Sequence, residues 1–399
     1  MSALRIYNSE SKRKERFRTK AKRVGLYVCG ITPYDVTHVG HAFTYTSFDV
    51  LVRYLGYLGY GVTYVQNLTD IDDDIIRKSK ELKKQWRRLG EENAQKFLED
   101  MRWLNNEQPN VYPRATDHIE GMIRIVRKLL KRGVAYERKG SVYFSVSADK
   151  GYGRLSKLSK KRMLLIANER GNDPNDPNKK DPLDFVLWQA KKPGEPSWPS
   201  PWGEGRPGWH IECSTMSTAY LGHTVDIHGG GSDLIFPHHE SEIVQSEAAT
   251  GKRFVRYWMH TGMLRYKGAK MSKSLGNLVL IGDLKKTYSA NAVRIYLLSH
   301  HYRSVFEFYE KGLRKAKRRE ELFKKVWRTQ SKTGKSLDVV EYEKKWARAM
   351  DDDLNTPKAL ETMERLAGCI LKEKTKNVSG AKAFLNIAFG IMGLTIEYR

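Results

Sequence analysis

The segment that decides the fold lies near the N-terminus. Residues 26–30, Leu-Tyr-Val-Cys-Gly, form a short apolar run that ends in glycine, which predicts a buried strand. Apolar residues within 43–55 then follow helical spacing. A second apolar run at 62–65 leads into a long charged segment at 71–103 that is also typical of a helix. This order of strand, helix, strand and helix predicts a parallel, doubly wound sheet of Rossmann-like type.

The rest of the chain interrupts this pattern and then completes it. A hairpin is expected around Gly140, and the proline-rich stretch at 174–207 is expected to be ordered loop. Strand-like runs resume at 224–228, where the glycines at 229–231 are expected to end the strand, and again at 256–260. The remainder has a helical pattern.

We therefore predict an α/β fold in which a connective insertion splits the sheet and an α-helical bundle follows it. The expected boundaries are 1–108 for the first half of the sheet domain, 109–200 for the insertion, 201–265 for the second half, 266–310 for a region with a lysine-rich loop, and 311–399 for the bundle.

The composition limits the compartment and the partners. With 71 Lys and Arg against 46 Asp and Glu, the formal net charge is +25, so a polyanion such as nucleic acid is the first partner to expect. Three cysteines cannot build a disulfide framework, which indicates a reducing compartment inside the cell. The sequence has no apolar run long enough for a signal peptide or a membrane span. We therefore expect a cytoplasmic protein with no membrane partner.

Two short motifs contain residue types that bind nucleotides. Residues 38–41, His-Val-Gly-His, lie between the first strand and its helix, where backbone N–H groups and the helix dipole favour a phosphate. Gly40 would let a flat base approach, although a pair of helix-capping histidines is the alternative. Residues 270–274, Lys-Met-Ser-Lys-Ser, place two lysines and two hydroxyls on a loop that could close over a triphosphate. An ordinary basic loop has the same composition.

Together these motifs resemble the two signatures of class I aminoacyl-tRNA synthetases. The chain is most similar to cysteinyl-tRNA synthetases, because several long segments agree with that family in order. These segments are 27–32, 67–73, 205–214, 226–242, 270–277 and 350–357. The resemblance implies that the protein activates L-cysteine with ATP as cysteinyl-adenylate, with Mg²⁺ accompanying the ATP, and transfers the cysteine to tRNA(Cys).

The resemblance also implies one Zn²⁺ per chain. Two thiolates, an imidazole and a carboxylate are a sound set of zinc donors, whereas without the family two buried free thiols would be the default interpretation. Zinc would select cysteine because it binds a thiolate more strongly than a hydroxyl. No editing domain is then needed. The ligands matched in this sequence are Cys29, Cys213, His238 and Glu242.

Roles for the remaining site residues follow from the same resemblance. The substrate carboxylate is already a nucleophile, so catalysis depends on positioning and on cations that face the phosphate. The expected catalytic residues are His38, His41, Lys270 and Lys273, and ATP binding adds Gly40 and Ser272. The expected amino-acid pocket consists of Thr69, Trp209, His228 and Asp233. Each pocket residue has a structural alternative: Trp209 as core, Thr69 and Asp233 as caps, and His228 as a satisfied strand residue.

The helical end is expected to contact tRNA. Residues 311–335 contain 11 Lys or Arg against two Glu, and we predict phosphate contacts from Lys317, Arg318 and Arg319, with a solvated helix face as the alternative. Cys369 matches no ligand position and is expected to be a core residue. Bacterial relatives continue into a small anticodon-reading domain, which is expected to be absent here. We predict a monomer.

Two other functions remain open from the sequence. A tRNA-independent ligase of the mycothiol pathway makes the same adenylate and passes cysteine to a small amine, and residues 162–174 resemble that ligase. That ligase lacks the carboxylate that matches Glu242 and carries Gln in the strand where this chain has His228, so both residues favour the synthetase. A non-enzymatic RNA-binding paralogue is the third possibility, although all the catalytic motifs are intact.

Overall fold

The computed structural model describes residues 3–19, 22–271 and 276–396. Its strands in chain order are β1 (Arg5–Asn8), β2 (Arg13–Arg16), β3 (Arg23–Ile31), β4 (Gly61–Leu68), β5 (Ala135–Arg138), β6 (Ser141–Phe144), β7 (Phe185–Ala190), β8 (Gly205–Pro207), β9 (Val225–Gly231), β10 (Val255–Thr261), β11 (Leu264–Tyr266), β12 (Ala269–Lys270) and β13 (Phe306–Glu307). Its helices are α1 (Val39–Tyr57), α2 (Asp73–Glu81), α3 (Trp86–Trp103), α4 (Ile119–Lys131), α5 (Lys160–Glu169), α6 (Trp209–Leu221), α7 (Glu240–Thr250), α8 (Ile281–Leu284), α9 (Ala290–Leu298), α10 (Glu310–Arg328), α11 (Val340–Asp351), α12 (Thr356–Lys372) and α13 (Ser379–Met392).

The central sheet is parallel and has the strand order β10-β9-β3-β4. Helix α1 connects β3 to β4, and α7 connects β9 to β10. The predicted α/β fold with a parallel sheet is thus confirmed. Because the strand order reverses between β3 and β9, the carboxyl ends of these two strands flank a topological switch point, where open α/β sheets bind their ligands.

The glycine triplet does not end its strand. Gly229, Gly230 and Gly231 are the last residues of β9, in contrast to the expectation that they follow it. A Cβ atom on Gly229 would lie 2.2 Å from the ring of Phe48 and 2.7 Å from the carbonyl oxygen of Met259. Gly229 is therefore needed, because α1 and β10 pack closely against β9 at this position.

The insertion forms an antiparallel sheet in the order β5-β6-β7-β8. The expected hairpin joins β5 and β6, and its turn residues Lys139 and Gly140 both have positive φ angles, 51° and 79°. The prediction of loop throughout the proline-rich stretch is wrong, because β7 lies within it and pairs with both β6 and β8. Phe185, Leu187 and Trp188 are buried, so packing against the sheet overrides the turn-rich composition on either side.

A buried ion pair joins the helical end of the chain to the sheet domain. The guanidinium of Arg294 on α9 pairs with Asp49 on α1, and the two residues are 0% and 1% exposed. Arg294 also donates hydrogen bonds to the carbonyl oxygens of Leu104 and Met392, at 2.8 and 2.9 Å. These bonds fix α1, α9 and the end of α13 relative to one another.

Two further features differ from the sequence prediction. The basic N-terminus forms an antiparallel hairpin of β1 and β2, which the sequence pattern did not reveal. Cys369, expected in the core, is only partly buried on α12. Among the helices of the described residues, none is long and apolar enough to cross a membrane.

Candidate active site and metal centre

Five elements converge at the carboxyl ends of β3 and β9. Cys29 belongs to β3 and His228 to β9. Tyr27 pairs with His228 across these two strands, which fixes the position of Cys29 relative to His228 along the strand direction. Cys213 lies on α6, His238 lies in the irregular turn Ile235–His239, and Glu242 lies in the first turn of α7. These five elements are far apart in the sequence but meet in the fold, because each of them begins or ends near the same edge of the sheet.

The four residues matched as zinc ligands lie together and are buried. The Cys29 Sγ atom is 3.7 Å from Cys213 Sγ and 3.7 Å from Glu242 Oε1. The His238 Nε2 atom is 3.2 Å from Glu242 Oε1. None of these side chains is more than 4% exposed. Cys29, His238 and Glu242 are thus close enough together to bind one small ion, and the sulfur of Cys213 lies beside that of Cys29.

His239 also belongs to this cluster, although the sequence analysis passed over it. Its Nε2 atom lies 3.2 Å from Cys29 Sγ and 3.8 Å from Glu242 Oε1. Ligand atoms of Cys29, His238, His239 and Glu242 all lie within 4.8 Å of one another. The Nδ1 atom of His239 contacts His260 Nε2 at 2.8 Å. A signal existed in the adjacent histidine pair at 238–239, but sequence alone does not say which ring faces the sulfurs.

Burial controls the protonation of the cluster. Burial, together with the neighbouring sulfur, raises the pKa of Cys29 well above its ordinary value, and it does the same for the carboxyl of Glu242. Burial opposes ionisation of Cys213 as well, but the hydrogen bond from Cys29 and the nearby His238 outweigh it, so the pKa of Cys213 is lowered. Burial also lowers the pKa of His239, which keeps the imidazole neutral.

These properties fit a soft divalent cation. Neutral imidazole is the form that ligates a metal, and a cation stabilises thiolate and carboxylate where burial alone disfavours them. Glu242 Oε2 is buried and makes no hydrogen bond within the described part of the chain. Such an orphaned acceptor is costly unless a ligand satisfies it.

The expected amino-acid pocket borders this cluster. The ring of Trp209 stacks on His238 with a centroid distance of 4.4 Å, and His228 Nε2 lies 3.5 Å from Cys29 Sγ. Thr69 Oγ1 accepts a hydrogen bond of 3.0 Å from Asn67 Nδ2. The structure thus brings Trp209, His228 and the candidate ligands together.

Asp233 is held by a residue that the sequence analysis did not identify. Its Oδ2 atom forms an ion pair of 3.2 Å with Nη2 of Arg170. Arg170 directly follows α5 in the insertion. Both side chains are about one-third exposed, at 29% and 31%. A substrate ammonium that binds Asp233 would therefore share this carboxylate with Arg170 or displace it.

The histidines of residues 38–41 lie at the start of α1. His38 is the N-cap, and its Nδ1 atom accepts a hydrogen bond of 3.0 Å from the backbone N–H of Gly40. The rings of His38 and His41 stack at a centroid distance of 3.7 Å. Burial lowers the pKa of His41, and the electrostatic influence of the neighbouring His38 lowers it further. Both rings therefore occupy the helix end to which an anion is attracted.

The chain that follows the lysine-rich loop is hydrogen-bonded to this helix start. The backbone N–H of Val39 donates to Val279 at 2.9 Å, and that of Ile281 donates to Thr37 at 3.1 Å. The segment that follows the second motif thus lies beside the first motif, although some 230 residues separate the two motifs in sequence. Lys270 is the last residue of β12, while Ser272 and Lys273 lie outside the described residues.

The predicted tRNA contacts lie on α10 but differ in their surroundings. Lys317 and Arg318 are exposed. The guanidinium of Arg319 instead pairs with Glu364 on α12 at 2.6 Å and contacts Ser299 Oγ at 3.1 Å. Arg319 thus holds α10 against its neighbours, while the other two side chains project outward.

The fold and the position of the site define the class of protein. Methionyl-tRNA synthetase from Mycobacterium tuberculosis in complex with methionyl-adenylate has a similar fold, with a TM-score of 0.67 and 16% sequence identity, over 93% of this chain and 89% of that chain. Residues 16–318 match the family model of the catalytic domain of class I (C) tRNA synthetases, and residues 345–397 match a DALR domain. The molecule is a class I aminoacyl-tRNA synthetase by fold.

Curated relatives narrow this class to one family. Cysteine–tRNA ligase from Thermococcus onnurineus is 46% identical over 99% of this chain and 87% of its own length. The cysteine–tRNA ligase from Pasteurella multocida is also 46% identical, over 99% of this chain and 86% of its own length. The chain belongs to the cysteine–tRNA ligase family and is an enzyme of the ligase class.

Proposed function

We propose that this enzyme activates L-cysteine with ATP as cysteinyl-adenylate and transfers the cysteine to the 3′ end of tRNA(Cys), recognising cysteine through its sulfur at a zinc centre. The convergence of Cys29, Cys213, His238 and Glu242 at the switch point of the sheet carries this proposal. The relatives' names, which state the amino acid and the tRNA, support the same substrates.

Zinc would be held by Cys29, Cys213, His238 and Glu242, with His239 close enough to replace one of them. When bound, the ion supplies a soft Lewis acid that prefers a thiolate sulfur to a hydroxyl oxygen. A pocket that measured only volume would separate substrates that differ by one methylene by roughly 1–3 kcal/mol. Selection by sulfur therefore explains how so small a side chain is recognised without a separate editing step.

The residues around the cluster would orient the rest of the amino acid. Trp209 covers His238 with its ring and forms a flat wall beside the sulfur position. Asp233 offers a carboxylate to the substrate ammonium, and Asn67 holds the hydroxyl of Thr69 by a hydrogen bond. These contacts fix the substrate carboxylate, the nucleophile that attacks the α-phosphate of ATP.

Cationic and N–H donors would stabilise the developing phosphate charge. His38 and His41 lie at the positive end of α1, and Lys270 and Lys273 belong to the loop whose following segment is hydrogen-bonded to that helix. Gly40 and Ser272 would complete the ATP site, and Mg²⁺ would accompany the triphosphate. Pyrophosphate leaves, and a hydroxyl of the terminal ribose of the tRNA then attacks the carbonyl carbon of the adenylate, forming the ester and releasing AMP.

The acceptor is a tRNA because the surface offers cations for its phosphates. Lys317 and Arg318 are exposed on α10, and the net charge of the chain is +25. A ligase that used a small amine would make the same adenylate but would gain nothing from this charge. Charging of tRNA and ligation to a small amine therefore share the formation of the adenylate and differ only in the molecule that accepts the cysteine.

Amino-acid-dependent exchange of pyrophosphate into ATP tests the activation step. We expect exchange with cysteine and a rate lower by roughly 10⁴ or more with serine or α-aminobutyrate, because neither offers a thiolate. Metal analysis of the same protein should give one zinc per chain. Exchange of similar rate with serine and cysteine would reject recognition through sulfur.

A further inference from the structure

An asparagine connects the metal-ligand cluster to the expected amino-acid pocket. Asn67 is the penultimate residue of β4 and is 1% exposed. Its Oδ1 atom accepts a hydrogen bond of 2.8 Å from the backbone N–H of Gly30 and lies 3.6 Å from the sulfur of Cys213. Its Nδ2 atom donates a hydrogen bond of 3.0 Å to Thr69 Oγ1. One side-chain amide thus spans the gap between a candidate zinc ligand and a candidate substrate contact.

The backbone of β3 fixes the orientation of this amide. A Cβ atom on Gly30 would lie 1.5 Å from the carbonyl oxygen of Asn67, so the two strands approach each other here as closely as glycine allows. The N–H group of Gly30 is a donor, so the amide atom that it contacts must be the oxygen. The amide nitrogen must therefore face Thr69.

Thr69 consequently has a proton to donate. The residue is 3% exposed, and its hydroxyl oxygen accepts the bond from Asn67. Its own hydroxyl proton has no acceptor among the residues that the structure describes. A buried O–H group without an acceptor costs free energy, so binding of a molecule that supplies one is favoured. In a cysteine bound through its sulfur, the carboxylate supplies this acceptor, because the ammonium group can only donate.

We propose that Asn67 is a positioning residue that holds the hydroxyl of Thr69 as a hydrogen-bond donor to the substrate carboxylate. The inference rests on the proposed function, in which Thr69 belongs to the amino-acid pocket. A hydrogen bond to an ionised acceptor is stronger than one between neutral groups, so the contact contributes to cysteine binding. Because the same amide lies 3.6 Å from the sulfur of Cys213, it also fixes the position of the carboxylate relative to the metal centre.

Cysteine binding to the zinc-loaded enzyme, measured by calorimetry without ATP, tests this role. Thr69→Val and Asn67→Ala should each weaken binding roughly 10-fold, the scale for loss of a hydrogen bond to a charged group. The double variant should also bind about 10-fold more weakly, rather than about 100-fold, because Asn67 acts through Thr69. Binding of cysteamine, which has the thiol and the ammonium but lacks the carboxylate, should change little in all three variants.

A second buried asparagine provides a matched control. Asn291 on α9 is 8% exposed, and its amide donates a hydrogen bond of 2.7 Å to the carbonyl oxygen of Thr395 and accepts one of 3.0 Å from the backbone N–H of the same residue. Asn291→Ala therefore removes a buried amide that both donates and accepts, but at the helical end of the chain. This variant should lower thermal stability and leave cysteine binding unchanged.

Asn67→Asp keeps the shape of the side chain and serves if Asn67→Ala does not fold. Its carboxylate still accepts from Gly30, but the second oxygen is an acceptor, so the hydroxyl of Thr69 turns toward it and away from the substrate. Cysteine binding should again fall roughly 10-fold, and addition of Thr69→Val should cause no further loss. Cysteamine again reports any effect of the new charge on the metal centre.

The outcomes separate the inference from the proposed function. If Thr69→Val weakens cysteine binding but the effects of the two substitutions multiply in the double variant, Asn67 does not act through Thr69 and the inference is wrong. If cysteamine binding weakens as much as cysteine binding, the hydroxyl does not reach the carboxylate, which also overturns it. If Thr69→Val binds cysteine normally, Thr69 is not a substrate contact, and that part of the proposed function fails together with the inference.

Discussion

The two buried cysteines show how single residues determine what this site can bind. Cys29 and Cys213 lie 3.7 Å apart beside the carboxylate of Glu242, and burial raises the pKa of both Cys29 and Glu242. Several anions confined in a dry site repel one another unless a cation lies between them. A bound metal ion would explain why these residues converge.

Cys213→Ser should abolish stoichiometric zinc binding. A hydroxyl is a poor zinc ligand, and the substitution removes one of the two sulfurs that suit the ion. Elemental analysis after dialysis should fall from one zinc per chain to well below it, and cysteine-dependent exchange should fall with it. Cys369→Ser is the control, because that thiol is only partly buried on α12, away from the cluster. Full zinc content in Cys213→Ser would remove this cysteine from the ligand set.

His41→Ala should slow cysteine-dependent exchange by roughly 10², the scale for loss of one group that stabilises charge in a transition state. The effect should fall on kcat rather than on the KM for cysteine, because His41 lies at the start of α1 and not in the zinc cluster. His223→Ala, at an exposed histidine, is the control. A near-normal kcat in His41→Ala would leave this residue with a structural role at the helix start.

Asp72→Asn should stabilise the protein at neutral pH. Burial raises the pKa of Asp72 to about 6, above its ordinary value of 3.8. The folded state thus favours the protonated form, so the associated stability is present below about pH 4 and is lost as pH rises to about 6. Asparagine removes this loss and can still accept the 2.7 Å hydrogen bond from the backbone N–H of Asp74.

Unfolding in urea across this pH range measures the effect of Asp72→Asn. The gain should be about 1–2 kcal/mol at pH 7, since Asp72 is not fully shielded from water, and close to zero at pH 4. Profiles that stay parallel at all pH values would show that Asp72 ionises normally.

At the scale of elements, the basic residues of α10 have two different roles: Arg319 pairs with Glu364 inside the molecule, whereas Lys317 and Arg318 are exposed and available to a partner. Lys317→Ala combined with Arg318→Ala should reduce the dependence of log affinity for tRNA on log salt by about two units, because two phosphate contacts are lost. Arg319→Ala should instead lower thermal stability through loss of its ion pair with Glu364, with little change in that dependence. Cysteine-dependent exchange should be unaffected by the double variant.

Filter binding over a series of salt concentrations measures this effect. An unchanged salt dependence in the double variant would mean that Lys317 and Arg318 form a solvated face only.

Local patterns predicted some elements well, and tertiary packing explains the others. The runs that became β3 and β4 were recognisable because buried strands of a parallel sheet are largely apolar. Strand β7 was missed because prolines surround it, and Gly229 was taken for a break although it permits close packing with Phe48. His239 was missed because only the fold shows which of the two adjacent histidine rings lies against the sulfur of Cys29.

At the scale of the whole molecule, the helical end is coupled to the active site through α1. Arg294 on α9 pairs with Asp49 in the middle of α1, and the same helix begins with His38 as its N-cap and His41 in its first turn. Asp351 extends this connection, since it accepts a hydrogen bond of 2.7 Å from Tyr54 near the end of α1. Helix α9, which packs against α10, thus links the surface that would meet tRNA to the helix that begins at His38 and His41.

The most direct test of the central claim is a charging assay that offers tRNA(Cys) transcript and a panel of small amines, such as amino sugars, to the zinc-loaded enzyme with ATP and labelled cysteine. We predict ATP-dependent formation of cysteinyl-tRNA(Cys), with no cysteinylated amine above the uncatalysed level. A cysteinylated amine together with uncharged tRNA would contradict the account and identify the molecule as a ligase that uses another acceptor.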